Sequence, residues 1–453
     1  MPSQTLHTPL PAGARIAVVG SGISGLGAAW LLARRYRVSL FERNGYHGGH
    51  TNTVSVSTRE GTLPVDTGFI VYNERNYPHL TDLFRHLRIA TRPTDMSFAA
   101  SIDGGRVEYA GSGLGTLFAQ RRNLADPRFH RMLLDILRFN RAAGRLAGGG
   151  GDSGMSLGDF LLRGGYGSAF RDYYLLPMAA AIWSCPSRTM LEFPALSLAR
   201  FFANHGLLDL TGRPRWRTVA GGGRRYVERL LEAIGPERHL DTAVQSLRRG
   251  ERGVTLCLAD GREAAFDGAV IATHADQALA LLETPDPRER RVLGAFGYQD
   301  NRALLHTDPA LMPRLRQVWS SWNYLGDTAG SAPAVSVTYW MNPLQGLPGA
   351  TDYFVSLNPL REPEPDRLLR EIHYRHPVFD AAALAAQSAL GQIQGGGRVW
   401  FCGSYCGYGF HEDGLRSAVE VARGLGVEAP WSGAATAAAP VRAPRPGLAG
   451  EAA

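Results

Sequence analysis

Gly20, Gly22 and Gly25 are spaced as Gly-x-Gly-x-x-Gly, and Glu42 follows 22 residues after the first. Glycines and an acid at those intervals can hold a dinucleotide. Gly20 permits a tight turn, Gly22 lets the backbone approach a pyrophosphate, and Gly25 lets a helix lie close to a strand. The anion, with Ser24 in the same turn, sits at a helix N-terminus, whose unpaired N–H groups and dipole favour negative charge. Glu42 accepts hydrogen bonds from a ribose diol and disfavours a 2′-phosphate. The glycines alone are a weak signal and could mark a turn that binds nothing; the flanking elements supply the specificity. Ile16 to Val19 is an apolar run short enough for a buried parallel strand, a helix starts near Gly22, and Val38 to Phe41 completes a βαβ unit ending at the acid.

Directly after Glu42 and Arg43 comes a second glycine pair, in Gly48-Gly49-His50-Thr51. Another close backbone approach suits a longer cofactor whose phosphates and ribityl chain run past the first loop, which points to FAD over NAD. With these residues the chain resembles the flavin-containing amine oxidase superfamily, which includes monoamine oxidases and phytoene-desaturase-like enzymes. That family has Gly-Gly-Arg-Thr after the acid; here the spacing is kept and His50 replaces the arginine. Val65-Asp66-Thr67-Gly68-Phe69 resembles the family's next strand and turn, and Val399 to Ser404 with Gly414 to Ala418 resembles its closing flavin segment. The resemblance implies an α/β fold, with an FAD-binding Rossmann-like domain of discontinuous segments beside a mixed α+β substrate domain. It also implies that the Val244 backbone touches the adenine, and that Gly403, Ser404, Gly414 and Leu415 close around the flavin. The family usually has an acid where this chain has Ser404, whose hydroxyl can still bind phosphate or the ribityl group.

Flavin supplies the difficult chemistry, so the protein's task is to exclude water and hold one C–H bond against the flavin N5. The segment Gly403 to Gly414 places Tyr405, Tyr408, Phe410 and the triplet His411-Glu412-Asp413 ahead of a helix expected from Leu415. That N-terminus suits negative charge on a reduced flavin. His411 ordinarily titrates near neutrality and is the first candidate for an active-site role; alternatively the triplet only caps the helix. Tyr405 and Tyr408 either face the flavin ring or pack under the loop. Trp319, Trp322, Tyr339 and Trp340 are core or cavity residues.

The sequence contains no lysine. Many amine oxidases of the family use one to hold a water against flavin N5, and arginine, always charged and differently shaped, is a poor replacement. Amine oxidation thereby loses its commonest form. The stretch Tyr173 to Pro186, with Phe193-Pro194 and Phe201 to Leu208, resembles a narrower subgroup similar to the flavoprotein portion of plant cyclopropane-fatty-acid synthases. Some relatives of that subgroup are associated with desaturating methyl-branched acyl chains of membrane lipids. Taken alone, the stretch reads as apolar core. The resemblance implies hydride removal from a lipid acyl chain. The alternatives are oxidation of a small amine, and a flavin-binding accessory protein of a lipid-modifying methyltransferase.

The 453 residues, 44% of them apolar, can bury a large core. No stretch reaches the roughly 18 continuous apolar residues of a spanning helix; the nearest, Tyr173 to Cys185, carries Pro177. Met1 to Gly13 has no basic region followed by an apolar core, so a cytoplasmic location is expected. Four scattered cysteines, Cys185, Cys257, Cys402 and Cys406, make no disulfide framework, and Cys402-x-x-x-Cys406 lacks a second ligand pair, so no metal is expected. The family's monoamine oxidases link flavin to a cysteine, at a spacing Cys406 does not match; a small buried thiol is the other reading. The net charge of +7 is carried entirely by arginine. That suits anionic phospholipid at the inner membrane face; nucleic acid is less expected, since no nucleic-acid-binding signature accompanies the charge.

Pattern breaks assign residues 14–75, 216–275 and 396–427 to the FAD-binding domain. Residues 76–215, mainly helical, and 276–395, mainly sheet, go to the substrate domain, and 428–453 to a disordered tail. Local signals predict a helix through Leu80, Leu83, Phe84 and Leu87, an N-cap at Ser156 ahead of Asp159, and a helix from Tyr226 to Ile234. Strands are expected over Thr242 to Val244, Gly253 to Ala259, Ala264 to Thr273, Val335 to Trp340, Tyr353 to Leu357 and Arg398 to Cys402.

Overall fold

A computed structural model describes residues 10–149, 154–183, 187–209, 212, 214–235, 237–327 and 335–431. Cys185, Pro186 and the expected tail beyond residue 431 lie outside the described residues. The short apolar runs line up in parallel, as strands covered on both faces do. Arg238–His239, Arg37–Phe41, Arg15–Val19, Gly268–Ile271 and Val399–Phe401 form a five-stranded sheet in that order. The last strand carries the C-terminal segment to the same end of the sheet as the glycine turn. Helix Ile23–Leu32 is apolar all round, and all ten of its residues are buried. It packs on the closing helix, His411–Gly424, where Gly27 makes room: a Cβ there would lie 2.8 Å from Leu415 Cδ1.

A second sheet of seven strands runs Leu368–Val378, Gly297–His306, Phe354–Leu357, Val335–Trp340, Trp322–Gly326, Phe98–Ile102, Val107–Ala110. Every pair is antiparallel except Trp322–Gly326 with Phe98–Ile102. Residues 76–215, read as mainly helical, thus also extend the sheet built by residues 276–395. The helices of that stretch include Pro78–His86, Pro127–Ala147, Leu157–Arg163 and Ala195–Asn204. Ser156 caps Leu157–Arg163, its Oγ accepting from Asp159 N at 3.1 Å.

Three boundaries differ from the sequence pattern, each for a polar reason. The closing helix starts at His411, four residues before Leu415, because Asp413 Oδ2 accepts from Tyr408 N and Phe410 N at 3.0 and 3.1 Å and folds the loop onto the first turn. The run Ala264 to Thr273 is two strands in different sheets, Glu263–Phe266 and Gly268–Ile271. They part at Asp267, whose carboxylate accepts from Arg15 N at 2.7 Å. Thr242 N donates to Glu42 O at 2.8 Å, so that strand begins only at Val244 and runs to Arg249.

Buried Asp66 ties four segments together. Its carboxylate accepts from Gly223 N at 3.0 Å, Gln345 Nε2 at 2.8 Å and Thr53 Oγ1 at 2.5 Å, and Gln345 Oε1 accepts from Asp66 N at 2.8 Å. Asp66→Ala would strand several buried donors and is expected to cost about 3 kcal/mol or more. An unchanged urea midpoint would show that these bonds do not hold the segments together.

Candidate functional site

The turn after Arg15–Val19 is built as its glycines require. Gly20 has φ +97°, and a Cβ there would sit 2.9 Å from Ala272 O. A Cβ on Gly25 would lie 1.8 Å from Gly20 O, so helix and turn can close only on glycine. At Gly22 a Cβ meets no protein atom within 4 Å, leaving the space beside the helix N-terminus open. That helix has neither a side-chain cap nor an acid in its first turn, so its first N–H groups are available to an anion. The second glycine pair buttresses the first: Gly48 N donates to Ser21 O at 2.9 Å, and a Cβ on Gly49 would be 3.1 Å from Gly22 Cα.

Glu42 is buried at the end of Arg37–Phe41. Its Oε2 accepts from Ser21 N (3.0 Å) and Ser21 Oγ (2.7 Å), and its Oε1 from Asn44 N (3.0 Å) and Asn44 Nδ2 (2.9 Å). The hydroxyl of Ser21 and the amide of Asn44 are rotatable donors that a diol could replace. Gly20, Gly22, Ser24, Glu42, Arg43, Gly49, His50, Val244, Gly403 and Ser404 all line one cavity of about 1490 Å³. Gly25, Gly48, Thr51, Gly414 and Leu415 stand behind its wall. Gly414 lets the closing helix approach Ser24, whose Oγ would be 2.7 Å from a Cβ.

His50 comes together with residues that no motif singles out. Its ring stacks on Tyr374 at 4.8 Å and lies 5.3 Å from His376 and 6.2 Å from His274. Tyr374 and His376, two residues apart on Leu368–Val378, project from one face; that alternation was the only trace of them in the sequence. Asn301 Nδ2 contacts His376 Nδ1 at 3.1 Å. His50 Nε2 is buried without a partner. Burial holds His50 and His274 down at about 4 and His376 at about 3, and the neighbouring imidazoles push His274 and His376 the same way.

His411 opens the closing helix, stacked on Phe69 at 3.9 Å, with Nε2 2.9 Å from Thr51 Oγ1 and 3.2 Å from Tyr226 OH. Thr51 Oγ1 also bonds Tyr226 OH. Burial holds His411 at about 3, so the near-neutral titration expected from its ordinary value is corrected: it is a neutral, positioned imidazole. Glu412 caps a different helix, its two oxygens accepting from His79 N at 2.9 Å and Leu80 N at 3.0 Å. Tyr405 and Tyr408 both reach the wall and both pack, Tyr405 at 5.1 Å from Phe296 and Tyr408 at 5.7 Å from Phe201. Tyr405 OH is buried without a partner. Trp322 and Tyr339 line the cavity, whereas Trp319 and Trp340 lie outside its wall beside Arg316. Cys406 also lies outside the wall, and burial pushes its thiol up to about 12.

Beyond the nucleotide end the cavity continues between Met96, Phe98, Tyr109, Tyr174, Met178 and Ile182. Its volume exceeds the roughly 300–1,000 Å³ of a single-ligand pocket, which leaves room for a cofactor and a substrate together. The open face of Gly22, the uncapped helix N-terminus, the unpartnered His50 nitrogen and the buried Glu42 fit an adenine dinucleotide.

Residues 23–304 match the family model for flavin containing amine oxidoreductases. The chain belongs to that family. It is an FAD-dependent oxidoreductase. Cyclohexylamine oxidase from Brevibacterium oxydans IH-35A superimposes with a TM-score of 0.67 at 17% identity, over 91% of this chain and 98% of its own. A putrescine oxidase with putrescine bound gives 0.64 at 16%, over 91% and 98%. A fatty acid isomerase from P. acnes that produces CLA gives 0.63 at 14%, over 90% and 98%. No curated protein matches the sequence. At these identities the likeness establishes the fold alone. Among the described residues no helix is long and apolar enough to cross a membrane.

Proposed function

We propose that this flavoprotein passes hydride from one carbon of an apolar substrate, an acyl chain of a membrane lipid, to bound FAD while the neighbouring carbon gives up a proton to solvent, so that a double bond forms between the two carbons. The observation that carries the reading is a chamber continuous with the nucleotide groove and walled by Met96, Phe98, Tyr109, Tyr174, Met178 and Ile182. Glu42 is held by Ser21 and Asn44. Asp95 accepts from Ser97 Oγ and, at 3.4 Å, from Ser321 Oγ, while Asp300 pairs with Arg375 at 3.1 Å. Of these three wall carboxylates only Asp300 is offset by a cation; Glu42 sits at the ribose position, and Asp95, bonded to neutral donors, is the one counter-charge left among the described residues of the wall for a cationic amine in the second reading. One neighbour of the same fold is a fatty acid isomerase, which supports an acyl substrate.

Bound FAD supplies the hydride acceptor. In this reading the Gly20 to Gly25 turn and the helix N-terminus hold the pyrophosphate, with His50 and Gly49 beside it. Glu42 holds the ribose, Arg43 and Val244 flank the adenine end, and Ser404 serves the ribityl or phosphate group. Gly414 and Leu415 let the closing helix approach. Tyr405, Tyr408 and neutral His411 wall the reacting end and exclude water without adding charge. An unactivated methylene is a poor hydride donor, so a substrate with a neighbouring double bond, branch or cyclopropane ring is expected.

The second reading, oxidation of a small amine, is favoured by the cyclohexylamine and putrescine oxidases among the neighbours. Anaerobic mixing of the FAD-loaded protein with phospholipids carrying branched or cyclopropane chains, and separately with alkylamines, distinguishes the two. Flavin absorbance is expected to bleach with lipid alone. Bleaching with amine alone overturns the proposal for the second reading; bleaching with neither overturns it for an accessory role beside a lipid methyltransferase.

A further inference from the structure

The four most exposed large apolar side chains among the described residues are Leu114 at 77%, Leu124 at 56%, Leu134 at 58% and Leu162 at 80%; every other is 45% or less. All four fall within residues 112–183, whose sequence carries nine arginines against five carboxylates and so more than half of the chain's excess positive charge. Helix Pro127–Ala147 organises them. Its outward stripe reads Arg131, Leu134, Arg138, Arg141, Arg145, at helical spacing and with no carboxylate. Of the acids nearby, Asp135 is buried between Arg131 and Arg138 at 3.2 and 2.5 Å, and Asp126 caps the helix through Arg128 N at 2.8 Å. Asp159 bonds Ser156 Oγ at 2.9 Å, and Asp172 pairs with Arg171 at 2.7 Å.

Leu162 and Leu124 are fastened beside this stripe, and Leu114 is tied to the same helix through Phe118. Arg131 and Arg138 donate to Gly165 O and Gly164 O at 3.1 and 2.7 Å, which sets Leu162 and Arg163 alongside. His130 Nε2 lies 2.8 Å from Leu124 O, and Phe118, just past Leu114–Leu117, packs on Phe129 at 5.8 Å. Gly111 and Ser112, immediately ahead of Leu114, line the cavity, as do Tyr174 and Met178 of the same stretch.

Leucines standing out beside arginines that outnumber their carboxylates, Arg141 and Arg145 foremost, are costly in water and favourable at a bilayer surface, where the alkyl groups enter the acyl boundary and the guanidinium groups meet lipid phosphates. We propose that this face docks the protein on an anionic phospholipid membrane. A nucleic-acid surface would use the arginines and leave the leucines idle. The proposal goes beyond the substrate reading, because docking is measured without turnover.

The test is co-sedimentation of the FAD-loaded full chain with phosphatidylcholine vesicles, with and without phosphatidylglycerol. Binding only to the phosphatidylglycerol vesicles, weakening as salt rises, is expected. Arg141→Glu with Arg145→Glu, and separately Leu134→Glu with Leu162→Glu, should each weaken it by about tenfold or more, with flavin absorbance unchanged. Arg288→Glu with Arg291→Glu, the same charge change on helix Pro287–Leu293, should bind as wild type. Failure of the wild type to bind at low salt overturns the proposal, as does equal binding to neutral vesicles, an RNA-only interaction, or loss of binding equal in the control pair.

Discussion

Gly22→Ala is expected to leave the thermal midpoint of the flavin-free protein unchanged while weakening FAD binding by about tenfold or more, whereas Gly25→Ala destroys both. The two glycines lie three residues apart in one motif, and their surroundings separate them. Gly22 has φ −68° and ψ −177°, a conformation any residue adopts, and an added methyl meets no protein atom. It would enter only the space a pyrophosphate needs. On Gly25 the methyl would lie 1.8 Å from the Gly20 carbonyl oxygen and 2.9 Å from its carbon. Backbone cannot yield there without parting helix from turn, so a loss of about 3 kcal/mol or more is expected. Thermal melts of apo-protein and FAD titration by fluorescence check both. A Gly22→Ala protein that binds FAD like the wild type would remove the pyrophosphate from this turn.

Acidification from pH 7.5 to pH 5 should lower the urea midpoint of the flavin-free protein. Six histidines are kept neutral by burial: His50, His205, His274 and His306 at about 4, His376 and His411 at about 3. His306 shows why. Its Nδ1 accepts from Asp308 N at 3.1 Å and its Nε2 contacts Ser356 Oγ at 2.8 Å, so a second proton would break the first bond. In the unfolded chain these groups titrate near 6.5, so below that the unfolded state takes up protons the folded state refuses. Their stabilisation is complete above pH 6.5 and is lost as pH falls toward the folded values. Each would forfeit about 2 kcal/mol by pH 5, less for those the cavity wets.

Three carboxyls oppose this. Burial raises Glu412 to about 7 and Asp66 to about 6 and lifts Asp413 above the usual carboxylate range, so each adds stability as pH falls through its raised value. Three groups cannot balance six, and the net sign is loss. A urea midpoint equal or higher at pH 5 would mean that the cavity histidines are hydrated and titrate freely.

The dinucleotide loop was legible because its demands are local. A left-handed φ at Gly20, Gly48 and Gly49 and the absent Cβ of Gly25 are properties of single residues at fixed intervals. The strands Val335–Trp340 and Phe354–Leu357 follow from alternation, and the Ser156 cap from its hydroxyl and the acid three residues on. Boundaries set by distant polar partners were not legible: Asp413 draws the closing helix back to His411, and Asp267 breaks one expected strand into two.

Read by itself, the chain determined the nucleotide-binding unit, its acid at the ribose position, the missing lysine and the arginine excess, all of which depend on residue type and near spacing. The assembly of His50 with His274, Tyr374 and His376 required three segments at least 100 residues apart to meet. Only the tertiary structure decided that, because such contacts follow from sheet order and carry no local signature. It also decided the protonation of His411, since an imidazole's pKa depends on what surrounds it, and which leucines were left outside. Burial belongs to the packed chain as a whole.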